Sequence, residues 1–328
     1  MAKIKKITLI ILINIILFFI AILISDYLTF KEDCKAFLRN NQNSVHTKTM
    51  KFQYFLINPP ITYIELKEYF NGEDNIFNGR KPVGLEYKNK PIVIFGDSFA
   101  HGQYLNYNQN FGYKLSHILK RPVYNRGIPG ASLQHMFHQV SEKSAEYFYE
   151  QVPKTDTIYY IMINDHYLRM SIFSDFQPVS DNFYLRYTLK NGKLKKDNFN
   201  NIFLNLIKSS YTVRNFNCKY TDYYVSNPKN AEALTDLALA YFKETRDCLE
   251  KKWDNKLKFN IILYRYDKFY YKDLLKQKLV ANDFNVIDTD DLTNENLMSE
   301  EYFMQDNYHP KEKAWDLLTP KIIQKSLL

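Results

Sequence analysis

The chain has 328 residues, 45% hydrophobic and 24% charged, with a formal net charge of +8. This is ordinary globular composition, enough to bury a sizeable core, and it favours one large domain with additions over two equal ones. The lysines are scattered through "KNGKLKK", "KKWDNKLK" and "GRKPVGLEYKNK" rather than gathered in a motif, so the charge reads as a solvated surface and no nucleic-acid partner is expected.

Residues 7–24 are apolar apart from Thr8 and Asn14 and carry no charge, a length that spans a bilayer. The stretch exceeds a usual signal-peptide core and no good small-x-small site precedes Asp26, so an uncleaved anchor over 1–28 is expected. Lys3, Lys5 and Lys6 precede the span, whereas Asp26, Glu32 and Asp33 mix with Lys31 after it. The positive-inside rule leaves the N-terminus cytoplasmic and everything after Thr29 on the far side. Three cysteines agree with that placement: Cys218 and Cys248 can pair in an oxidising compartment, or all three can be unpaired thiols.

Residues 29–88 show no strong period and read as a juxtamembrane lead-in. From Pro91 apolar runs of strand length recur: "PIVIFG", "PVYN", "TIYYIMI", "FNIILYRY" and "FNVID". Helices are predicted between them over 110–120, 132–151, 230–252 and 272–282. Near-continuous apolar strands need cover on both faces, so the pattern predicts an open, mostly parallel α/β sheet over 89–328, with its working site at the carboxyl ends of the strands. An insertion at about 167–228 breaks the rhythm after the third strand. Within it "FYLRYTLKNGKLKKD" is a hairpin signal, with Asn191-Gly192 supplying the positive-φ residues of the turn.

Four short stretches follow successive elements. "GDS" places Ser98 at the first strand-to-helix turn, where a hydroxyl can face a cleft or merely cap a helix. The absence of Gly-x-Ser-x-Gly argues against the α/β-hydrolase elbow. "NRGIPGAS" brings two glycines, from a chain with nine, to the turn after the second strand, where a backbone N–H can approach a ligand. "MINDH" places Asn164 at the end of the third strand, as a carboxamide donor or a turn residue. "DNYHP" pairs His309 with Asp306 three residues earlier, a self-contained base and orienting carboxylate.

Taken in order, these stretches resemble the four marker blocks of the SGNH hydrolases, also called GDSL-type esterases, and "GDSFAHG" with "NFGYKLSHIL" is similar to the membrane-anchored bacterial form of the first block. The resemblance implies a three-layer flavodoxin-like fold. It makes Ser98 the nucleophile, His309 the base and Asp306 its orienting acid, with Ser98, Gly130 and Asn164 forming the oxyanion hole. Met162 stands where the third block usually has glycine, a departure that bears on packing beside Asn164.

The expected activity is removal of O-acyl groups, foremost O-acetyl, from a cell-envelope glycan or peptidoglycan outside the cytoplasm. Two alternatives stay open: O-acyl transfer to such a glycan from a membrane donor partner, and an inactive glycan-binding assembly factor. His135 and His138 share a helix face without a third ligand, His101 and His166 border the blocks without an assigned role, and no cysteine spacing or Gly-rich phosphate loop calls for a metal or cofactor.

Overall fold

The structure is a computed structural model that describes residues 20, 80–141, 145–170, 187–196, 223–265, 269–304 and 309–327. From residue 80 onward these belong to one compact unit, comprising 62–175, 179–197 and 221–328. The second unit, 1–61, 176–178 and 198–220, lies outside the described residues apart from Ile20. Outside them too fall the rest of the expected anchor, the lead-in before residue 80, most of the expected insertion, and Cys34 and Cys218 with the pairing suggested for the latter. Among the described residues no helix is long and apolar enough to cross a membrane.

Nine strands are described: β1 (Ile92–Phe95), β2 (Val123–Asn125), β3 (Thr157–Met162), β4 (Tyr187–Lys190), β5 (Lys193–Lys196), β6 (Lys258–Leu263), β7 (Asn285–Asp288), β8 (Phe303–Met304) and β9 (His309–Pro310). The helices are α1 (Ser98–His101), α2 (Phe111–Leu119), α3 (Leu133–Ser141), α4 (Ala145–Gln151), α5 (Asp165–Met170), α6 (Ala231–Trp253), α7 (Lys272–Val280) and α8 (Glu312–Leu327). Five strands form a wholly parallel sheet in the order β2-β1-β3-β6-β7. This is the doubly wound, flavodoxin-like order. The chain leaves β1 toward β2 on one side and returns to β3 on the other, so the switch in winding falls between β1 and β3, the place where folds of this order bind their ligands.

Side chains alternate across the sheet because successive Cβ atoms point to opposite faces. Val93, Phe95, Ile158, Tyr160, Met162 and Ile261 pack with Leu133 and Met136 of α3 and Tyr241 and Phe242 of α6. Ile92, Ile94, Tyr159, Ile161, Ile262 and Ile287 pack with Phe111 and Leu115 of α2 and Trp315, Leu318 and Ile322 of α8. Both faces are therefore covered, giving three layers, as near-continuous apolar strands require. Each large side chain sealed in these layers contributes about 1.5–3 kcal/mol of burial, and Trp315, wedged between Phe111 and Tyr264 at centroid distances of 5.2 and 5.5 Å, is among the largest.

The hairpin expected at Asn191-Gly192 is present. β4 and β5 pair antiparallel with Leu189 opposite Leu194, and the two turn residues have φ of 53° and 74°, the double positive φ of a tight primed turn. Two helices, α3 and α4, occupy the stretch predicted as one, on either side of residues 142–144, which lie outside the described residues.

Candidate active site

Ser98 stands on a turn that only glycine could make. Gly96 has φ of 144°, and a Cβ there would lie 2.7 Å from the Ala100 Cβ and 2.9 Å from the Ile161 carbonyl oxygen. The chain thus leaves β1 sharply and starts α1 at once. Asp97 caps the helix, its Oδ1 accepting from the Phe99 N–H at 2.9 Å. Ser98 is the first helical residue and 7% exposed; α1 ends at Gly102, left-handed at φ 72°.

The loop after β2 is drawn against this helix. Arg126 and Ile128 donate their backbone N–H groups to the carbonyls of Ile94 and Gly96 at 2.7 and 3.1 Å, and the Asn125 amide donates to the Ala100 carbonyl at 2.7 Å. A turn then closes from Ala131 N–H to the Ile128 carbonyl at 2.9 Å, with Pro129 second and Gly130, at φ 78°, third. Proline followed by a positive-φ glycine is the signature of a type II turn.

Asn164 follows β3 and is 8% exposed. Its Oδ1 accepts the backbone N–H of Tyr270 at 2.8 Å. With the oxygen engaged there, the carboxamide is oriented and its Nδ2 is the end left to donate elsewhere.

One guanidinium joins the three loops. Arg169, on α5, donates from Nη1 to Asp97 Oδ2 at 2.8 Å and to the Ala131 carbonyl at 2.9 Å, and its Nη2 lies 3.4 Å from Asp165 Oδ2. Its partners are the residue before Ser98, the residue after Gly130 and the residue after Asn164. Asp97 is fully buried. Burial alone would raise its pKa, but His166, whose Nε2 is 3.4 Å away, and Arg169 together hold the carboxyl well below the usual carboxylate range. Burial acts to lower the Arg169 pKa, yet Asp97 and Asp165 lift it above its ordinary value. The pair is charged on both sides.

His309 reaches the same place from the C-terminal segment. β9 pairs with β8, setting His309 opposite Met304. The His309 ring packs against Phe99, the residue after Ser98, at a centroid distance of 5.6 Å, and edge-on to Tyr104 at 5.0 Å. Asp306 lies outside the described residues. The structure therefore brings the loops of Ser98, Gly130 and Asn164 together at the carboxyl ends of β1, β2 and β3 and packs His309 against Phe99 of the helix that Ser98 begins.

Four other described histidines pack around these loops. His166 is buried behind Asp97, with Nδ1 3.1 Å from the Tyr160 hydroxyl, and burial keeps its pKa below the usual value. His135 accepts the Ser132 N–H on Nδ1 at 3.0 Å. His138 meets the Tyr187 hydroxyl of the hairpin at 3.3 Å, and His101 is buried at the end of α1. Among the described residues no three His, Cys, Asp or Glu side chains are grouped to hold a metal. Arg169 escaped the reading of the sequence; its only local mark is the i,i+4 spacing from Asp165.

No protein-family model matches the chain, and no curated protein does. Solved structures are matched. A protein of the G-D-S-L family from Desulfitobacterium hafniense DCB-2 is 12% identical, over 72% of this chain and 99% of its own, at a TM-score of 0.41. The acetylxylan esterase Axe2 from Geobacillus stearothermophilus is 11% identical, over 73% and 95%, at 0.41. AlinE4, an SGNH-hydrolase family esterase, is 12% identical, over 74% and 98%, at 0.38.

Proposed function

We propose that the chain is a serine ester hydrolase of the SGNH type, held to the membrane by residues 1–28, that removes O-acyl groups, foremost O-acetyl, from a cell-envelope glycan or peptidoglycan outside the cytoplasm. The observation that carries the hydrolase reading is the oriented Asn164 carboxamide beside loops that the Arg169 guanidinium joins at Asp97 and Ala131. A turn-closing asparagine has no need of a backbone partner on a segment 106 residues away. The anchor and the envelope substrate rest on the sequence alone.

In the reaction, His309 takes the Ser98 hydroxyl proton as Oγ attacks the ester carbonyl carbon. The carbonyl π electrons move to oxygen, and the backbone N–H groups of Ser98 and Gly130 with Asn164 Nδ2 receive the oxyanion. Collapse expels the alcohol oxygen, which takes the proton from the imidazolium and leaves an acyl-serine. Water, deprotonated by His309, then releases the acid and restores the hydroxyl. The sequence resemblance gives Asp306 the task of stabilising the imidazolium. A sugar hydroxyl in place of that water would make the same site a transferase.

The test treats the full-length chain in detergent with a fluorophosphonate probe and with 4-nitrophenyl acetate. Labelling and turnover are expected, both lost in Ser98→Ala, with kcat lowered about 10²- to 10³-fold in Asn164→Ala. Turnover that survives Ser98→Ala would end the proposal. Product analysis with and without a sugar acceptor separates hydrolysis from transfer.

A further inference from the structure

The residues just past α1 form a second feature that the mechanism does not use. Leu105 donates its N–H to the Gly102 carbonyl at 3.1 Å, closing a four-residue turn with Tyr104 in third place. Tyr104 has φ of 68°, the left-handed value that such turns reserve for glycine or asparagine. A bulky residue adopts it only at a cost in stability. The cost has no return in burial, because Tyr104 is 52% exposed.

The turn is nevertheless held firmly. Arg80 Nη2 donates to the carbonyls of Gly102 and Leu105 at 2.7 and 2.9 Å, one on each side of Tyr104. The Gln103 N–H donates to the Ser98 carbonyl at 3.0 Å. A strained, exposed aromatic is thus clamped one residue from a direct hydrogen bond to Ser98 and set edge-on to His309, with centroids 5.0 Å apart and rings at 75°. Strain that surrounding contacts enforce beside a reactive group points to a role in ligand contact.

The chemistry of the stretch identifies the ligand class. "QYLNYNQN", residues 103–110, has no charged side chain; apart from Leu105, which is buried, it consists of carboxamides and tyrosines. Tyr104, Asn106, Tyr107 and Asn108 are exposed. An acyl chain would call for aliphatic walls and an anion for a cation turned toward it; the stretch supplies no such wall, and Arg80, the cation beside it, turns its Nη2 to the Gly102 and Leu105 carbonyls. A neutral sugar ring offers an apolar C–H face for the phenol and hydroxyls for the amides, suiting side chains that are apolar in body and polar at the tip.

We propose that Tyr104 is the platform of a sugar-binding subsite beside Ser98 and His309, on which a neutral pyranose ring of the substrate lies while its ester enters the oxyanion site. The proposal rests on the hydrolase reading for the placing of the ester and for its kinetic arm; sugar binding at Tyr104 does not.

The test compares the full-length wild type with Tyr104→Gly, Tyr104→Asn and Tyr104→Phe. Probes are methyl 6-O-acetyl-β-D-glucopyranoside, 4-nitrophenyl acetate and 4-nitrophenyl octanoate. Both truncations are expected to lower the ratio of kcat/KM for the sugar ester over 4-nitrophenyl acetate about tenfold, chiefly through KM, while Tyr104→Phe retains it. Tyr104→Gly is expected to raise Tm by about 2 °C, because glycine relieves the strained φ. A ratio that ignores all three variants, a Tm that falls with glycine, or a loss confined to the octanoate ester would overturn the platform. Calorimetry of the sugar ester with Ser98→Ala, with and without Tyr104→Gly, keeps the two proposals apart. Tyr104-dependent binding without Ser98-dependent turnover would leave the subsite standing and remove the hydrolase.

Discussion

An arginine–aspartate pair sits at each end of the central sheet, and the two differ in what surrounds them. At the amino ends of the strands, Arg121 Nη2 meets Asp156 Oδ1 at 2.5 Å and donates to the Pro91 carbonyl, while its Nε donates to the Lys90 carbonyl. The Asp156 side chain is 34% exposed, with Lys90 3.7 Å away. At the carboxyl ends, Asp97 has no exposure and its partners Arg169 and His166 are packed over it. Water can replace a partner at the first end but not at the second. An exposed pair holds a loop weakly, whereas a buried one commits the fold to keeping every member in place. The chain spends its buried charge where the proposed chemistry is.

The sharpest way to break this contrast is Arg169→Met. It strands the Asp97 carboxylate in the interior, and removing one member of a buried pair typically costs about 3 kcal/mol or more, to be read by urea unfolding. Because the same guanidinium bonds Asp97 and the Ala131 carbonyl, kcat on 4-nitrophenyl acetate is expected to fall about 10²-fold. Adding Asp97→Asn should return part of the stability, since the amide oxygen still accepts from Phe99 N–H, without returning kcat. A large stability loss with kcat intact would mean that the pair serves packing alone.

Acid offers the next largest effect. His135, buried beside the same cluster, has its pKa pushed down to about 3, first by burial and then by the positive charges of Arg169, His138 and His166. Between pH 6.5 and 3 the unfolded chain therefore holds a proton on this side chain that the folded chain refuses. Stability is lost as pH falls through that window, by up to about 1.4 kcal/mol per unit. His166, lowered for the same first reason, works in the same direction. The depressed Asp97 adds stability that is present above the usual aspartate range and goes as pH falls through its folded value. His135→Asn, which keeps an acceptor for the Ser132 N–H, should flatten the slope of stability against pH by about one proton between pH 6 and 4. An unchanged slope would show that His135 ionises freely in the fold.

How far these ends could be read in advance follows from the range of the interactions. The five parallel strands were legible because strands covered on both faces leave near-continuous apolar runs, and the Asn191-Gly192 turn because positive φ selects those residues. The places of Ser98, Gly130 and Asn164 at the turns after the first three strands were legible from residue types, and His309 stood out only by its neighbours in "DNYHP". By contrast, β8 and β9 have two residues each and so no period to detect, and α8 went unread although it covers one sheet face. Arg169 meets Asp97 from 72 residues away, and the Tyr270 N–H that orients Asn164 belongs to a backbone position any residue could fill. Tyr104 was hidden for another reason: its position calls for glycine, and local preference points away from it.

The smallest effect belongs to the amino end, and it decides whether the contrast is real. Asp156→Asn keeps an oxygen for the Thr157 hydroxyl and for Arg121, which now meet Asp156 Oδ1 at 2.7 and 2.5 Å, and removes only the charge. The carboxyl is lowered: burial acts to raise it, while the Thr157 and Arg121 hydrogen bonds and the charges of Arg121 and Lys90 prevail. Partly exposed pairs of this kind are worth under about 1 kcal/mol, and the loss should shrink further in 1 M salt, where the screening length is about 3 Å. Ester kinetics should not change, since Asp156 lies at the opposite edge of the sheet from Ser98. A salt-insensitive loss near 3 kcal/mol would make this pair the equal of the Asp97–Arg169 pair, and buried charge would then no longer mark the working end of the sheet.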